Sequence, residues 1–187
     1  MNLIKSFVTG LGIVMCMGAA VYVNAADEID ADDFVDEASA KGLAEIETSR
    51  LALQKSASPE VKAFAQQMID DHTKANTELA QIAKNKNLEV ASESELKNKV
   101  KSFILKQRDG ESFDEAYANN QVTAHKEAIE LYKSGLNTGD KDINAYAQRT
   151  LPRLEQHLKM AEELLRRTEA INDDDYSSSA SSSLRGY

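Results

Sequence analysis

The stretch SPEVKAFAQQMIDDHTKANTELAQIAKNK, residues 58–86, decides the fold. Ser58 is a favourable N-cap because its hydroxyl can accept from a first-turn N–H. Pro59 suits the first helical position, where its missing N–H has no partner to lose. Val61, Phe64, Ala65, Met68, Ala75, Leu79, Ile82 and Ala83 then recur at three- and four-residue steps, with Gln66, Asp70 and Lys74 opposite. That period predicts an amphipathic helix to about Lys86 with one face in a core. His72 falls near the middle of the apolar face.

Outward from this helix, the same period predicts three more. One precedes it, from about Asp32 to Ser56. The hinge is only a few residues long, so these two helices are expected to be antiparallel neighbours. Downstream, helices read from about Phe113 to Lys133 and from about Asp140 to Ala170, with Gly135 and Gly139 bracketing the turn and Pro152 inside the last. Between the pairs lies a long connection. In it Ser92-Glu93-Ser94-Glu95 reads as a capping box, and Leu96, Val100, Phe103 and Ile104 as a short amphipathic helix. The expectation is an all-α chain: a ferritin-like four-helix bundle with a long, partly helical crossover between helices 2 and 3, which then run parallel. Plain up-down-up-down order is the alternative.

The ends read differently. Lys5, an apolar run from about Phe7 to Val23 and the small-residue site Val23-Asn24-Ala25 make residues 1–25 a signal peptide, with cleavage after Ala25. The competing reading is an uncleaved anchor, since the run is long enough to cross a bilayer. Cleavage leaves no stable membrane span and sends the chain to the periplasm. Cys16, the one cysteine, lies inside the leader and follows Met15, where a lipoprotein signal wants a small residue. The mature chain then has neither disulfide nor thiolate ligand. Residues 32–170 form the bundle domain. The acidic, serine-rich stretch 171–187 has too little apolar surface to order itself and is expected to be disordered.

The 187 residues are long enough to bury a core. A formal net charge of -9 repels phosphate backbones, so nucleic acid is excluded as a partner class. A protein partner or a homo-oligomer stays open. There is no Gly-rich phosphate loop, no Walker pattern and no Ser-His-Asp or Cys-His set, so nothing names an enzymatic reaction.

The three histidines are the unusual feature. His72, His125 and His157 are the whole complement, one on each of helices 2, 3 and 4, and all face inward on a helical wheel. The favoured reading is of core histidines satisfied by neighbours such as Gln121, Tyr117, Tyr132, Tyr146 and Thr150. The competing reading is a transition-metal site, because neutral imidazole is a good ligand and bundles build such sites from facing helices. Its candidate ligands are His72, His125 and His157, with Glu45 and Glu47 on the flanks of the first helix's apolar face. A carboxylate-bridged di-iron centre needs Glu three residues before His on two helices. Here those positions are Ile69, Val122 and Leu154. Axial counting sets His72 level with His125 and His157 about nine residues away, roughly 13 Å at the helical rise, so convergence of all three is not expected. A His157–Met68 haem pair has no specific support.

Three segments, FVDEASAKGLAEIETSRLALQKSASPEVKAFAQQMIDDHTKANTEL, FDEAYANNQVTAHKEAIELY and INAYAQRTLPRLEQHLKMAEELL, together resemble the domain of unknown function 4142 family, over roughly Asp33 to Leu165. The resemblance implies an exported bacterial bundle of ferritin-like architecture with no assigned activity. Asp71-His72, His125 and Pro152 with His157 fall within the matching motifs. The expected function is that of a non-enzymatic bundle with an envelope or stress-related role, the latter from family association alone. Metal binding through the core histidines and recruitment of an envelope partner by the helical surface or tail are the other two readings.

Overall fold

The computed structural model describes residues 29–92 and 113–183. The expected signal peptide, the helix expected in the crossover and the last residues of the tail lie outside the described residues. Four α-helices are present: α1 (Ala31–Lys55), α2 (Pro59–Lys86), α3 (Phe113–Ser134) and α4 (Lys141–Ser183), with a 3-10 turn at Gly135–Asn137 between the last two. No strand occurs among the described residues. The chain is an all-α helical bundle.

Local chemistry sets the helix ends. Asp30 caps α1 by accepting from the N–H groups of Asp32 and Asp33, both at 3.0 Å. Ser58 caps α2 through the Val61 N–H at 3.3 Å, with Pro59 opening the helix. Asn87 closes α2 in the left-handed conformation at φ 57°, where its N–H satisfies one of the terminal carbonyls. Gly139, at φ 79°, sits just before α4. Asp140 then caps that helix through the N–H groups of Asp142 and Ile143.

Cross-helix pairs fix the directions. Phe64 meets Tyr117 and His72 meets His125, an advance of eight residues on both helices, so α2 and α3 run parallel. Tyr132 meets Tyr146 and His125 meets His157, so α3 and α4 are antiparallel. Phe34 and Ala38 share one apolar cluster with Leu79 and Ala83, while Ala52 shares the other with Val61 and Phe64, so α1 and α2 are antiparallel. This is the order with one long crossover between helices 2 and 3, not up-down-up-down.

Two apolar clusters fill the interior. One gathers Phe34, Leu79, Tyr132, Ile143 and Tyr146. The other gathers Val61, Phe64, Met68, Tyr117, Ala161 and Leu164. Met68 is therefore core packing. Each residue buried in these clusters is worth roughly 1.5–3 kcal/mol for a large side chain, which dwarfs the exposed ion pairs on the outer faces.

The last helix continues past Ala170 to Ser183. No glycine or proline lies between Ala170 and Ser183, and extending an existing helix costs no new nucleation. Among the described residues no helix is long and apolar enough to cross a membrane.

Candidate functional site

His72, His125 and His157 converge. One ring nitrogen from each lies within 4.8 Å of the others. The ring centroids form a nearly equilateral triangle with sides of 5.6, 5.4 and 5.3 Å. All three residues are buried, His125 and His157 to 1% exposure. The axial offset expected for His157 is corrected. The 3-10 turn extends the end of α3, so the top of the turn lies about 20 Å beyond His125 and about 24 Å before His157. The remaining gap closes because side chains tilt towards the N-terminus of their own helix. In antiparallel helices these tilts bring His125 and His157 together.

Hydrogen bonds select the tautomers. His125 Nδ1 lies 2.8 Å from the Gln121 carbonyl oxygen, which can only accept, so Nδ1 carries the proton. Its Nε2 keeps a lone pair. His157 donates from Nε2 to Asp71 Oδ2 at 2.9 Å, leaving Nδ1 with the lone pair, buried and without a partner. His72 Nε2 approaches His125 Nε2 at 3.4 Å, long for a hydrogen bond. A carboxylate or a carbonyl behind a ligating imidazole is the usual support of a metal-bound histidine.

The electrostatics favour neutral rings. Burial lowers the pKa of all three, with mutual repulsion adding for His72 and His125. His125 falls to about 4. For His157 the Asp71 carboxylate offsets part of the burial effect.

The predicted carboxylates part company. Glu45 is buried and lines a cavity of about 230 Å³ together with His72 and His125. Burial pushes its carboxyl up to about 7, against a smaller lowering by Gln121 and Lys41. The Gln121 side chain is close enough to lower the Glu45 carboxyl, but neither Glu45 Oε2 nor the Gln121 amide makes a hydrogen bond of good geometry. Glu45 is not among the three groups whose donor atoms cluster. Glu47 does not join the site: it is half-exposed and paired with Arg50 one turn on. It lies two residues from Glu45, about 200° around the helix, so both cannot face one core.

Asp71 was the functional neighbour that sequence reasoning missed. Its signal was weak, an edge position on the face of α2. Only the packing of α4 against α2 brings His157 to it, with Arg153 3.9 Å from the same oxygen. Ile69 and Leu154, where a di-iron centre would carry glutamates, flank the site as apolar residues, and Leu154 is in the core.

Three buried neutral imidazoles on three helices can hold one metal ion. Ligand nitrogens about 2.0–2.1 Å from a tetrahedral zinc stand about 3.3 Å apart, a separation already met by His72 and His125. No curated protein and no solved structure is a significant match to the chain. Residues 19–164 match the family described as Domain of unknown function (DUF4142), and the chain belongs to that family.

Proposed function

We propose that this protein binds a single late first-row transition-metal ion through His72, His125 and His157. The observation that carries the reading is the cluster of three buried imidazoles with one ring nitrogen of each within 4.8 Å of the others, in which His157 is held by Asp71 through Nε2 and keeps a buried Nδ1 with no partner. A purely structural cluster leaves that atom unsatisfied and brings two other ring nitrogens to poor hydrogen-bond distance, at a cost of about 1–3 kcal/mol per unsatisfied group. One metal ion satisfies all three lone pairs. Imidazole suits zinc, copper, nickel and iron, and the absence of paired carboxylates supports a mononuclear centre.

The leader-like residues 1–25 support a periplasmic address. A non-enzymatic envelope or stress-related role fits a protein that sequesters or carries such an ion. The test is elemental analysis of the full chain purified from the periplasm without chelators, followed by melting with zinc, copper or nickel. The expected result is about one metal per chain, or a melting shift that disappears in His157→Ala. No bound metal and no shift with any of the three ions would sink the reading.

A further inference from the structure

The three imidazoles are walled in on most sides. Along the bundle they lie between the two apolar clusters, with Leu79, Tyr132 and Tyr146 in one and Met68, Tyr117 and Ala161 in the other. On the seam between α2 and α4 the His157 ring, 1% exposed and held by Asp71, closes the way. A hydrated cation does not cross packed apolar side chains, because nothing there replaces the water it would shed.

The seam between α1 and α3 is different. A cavity of about 230 Å³ lies there and reaches His72 and His125. His72 is the most exposed of the three histidines, at 6%. Gly42, Ala44 and Ala124 keep the walls apart, and Thr48 and Asn120 add polar groups. The space takes an ion with several of its waters, at roughly 30 Å³ for each water. At the outer end Lys41 bonds Glu127 of α3 at 3.0 Å and lies 3.7 Å from Glu37. Two carboxylates share one ammonium there, so the group is net negative and draws cations. An exposed ion pair of this kind yields at little cost. Resting on the metal reading above, we propose that this cavity is the path by which the ion enters and leaves the folded bundle, so that the metal is exchangeable cargo and not a centre built in at folding.

The test follows cobalt(II), whose visible bands report its ligands, into the full chain by stopped flow and then out of it into excess EDTA. Ala44→Leu and Ala124→Leu stand on opposite walls and remove no ligand. Each narrows the path, so uptake and release should both slow by about tenfold or more, a barrier increase of about 1.4 kcal/mol. The cobalt bands and the affinity should stay as in the wild type, because both rates change by one factor. In the wild type, release should outrun global unfolding measured in the same buffer. Uptake at the wild-type rate in a folded leucine variant, or wild-type release no faster than unfolding, would overturn this inference alone. Either variant suffices if the other does not fold, and the wild-type comparison needs neither. Failure of the wild type to take up cobalt at all would overturn the metal centre and the path with it.

Discussion

His157 donates from Nε2 to Asp71 Oδ2 at 2.9 Å, and this bond fixes which face of the ring looks into the bundle. The carboxylate sits on α2 directly beside His72, so one helix supplies both a candidate ligand and the support of another. Replacing Asp71 by Asn keeps a hydrogen-bond acceptor but removes the charge. Zinc affinity is expected to fall by roughly 10- to 100-fold, the usual effect of losing such a support. Competition with a chromophoric chelator measures it, and an unchanged affinity would contradict the role given to Asp71.

The metal-free protein should lose stability as it is acidified. In the unfolded chain the histidines titrate near 6.5, whereas burial holds them lower in the fold, His125 at about 4. Between these values the unfolded state binds protons that the native state refuses, so stability falls as pH drops from about 6.5 towards 4. His125 alone accounts for on the order of 3 kcal/mol. Glu45 works in the opposite sense: its carboxyl moves from 4.5 to about 7, so its contribution is present at low pH and lost as pH rises through 7. Three imidazoles outweigh one carboxyl. Denaturant midpoints should therefore be lower at pH 4.5 than at pH 7, and equal midpoints would count against the buried neutral cluster.

Gly135 is a packing requirement. A Cβ placed there would lie 2.3 Å from Cε2 of Phe34, a fully buried ring stacked edge-on against Tyr132. Gly135→Ala is expected to destabilise by about 1–3 kcal/mol through overpacking. Thermal melting reads this directly, and a stability equal to wild type would mean that the Phe34 ring has room to move.

Ser49 and Tyr117 share a buried hydrogen bond of 2.8 Å between α1 and α3. Removing the serine hydroxyl strands the phenol in the core. Ser49→Ala is expected to cost about 1–3 kcal/mol, while the double change with Tyr117→Phe should cost less than the two single changes added together. A double-mutant cycle with no coupling would remove the bond from the account of stability.

Residue order alone determined the helices and their sequence. Apolar spacing marked α1 to α4, Ser58-Pro59 marked the first hinge, and the two halves separated by a long connection pointed to the crossover topology. These are local matters, because a helix period and a cap are set by neighbours within a turn or two. Inward-facing histidines were legible for the same reason. Their meeting was not, since it depends on how far the Gly135–Asn137 turn carries α3 and on the opposed tilt of two side chains. Asp71, half-exposed and beside His72, became a partner of His157 only when α4 packed against α2. The split between Glu45 and Glu47 turned on which side of α1 the cavity opens. Local pattern thus fixed which residues face the core, and only tertiary packing, which sets axial register between distant helices, decided which of them touch.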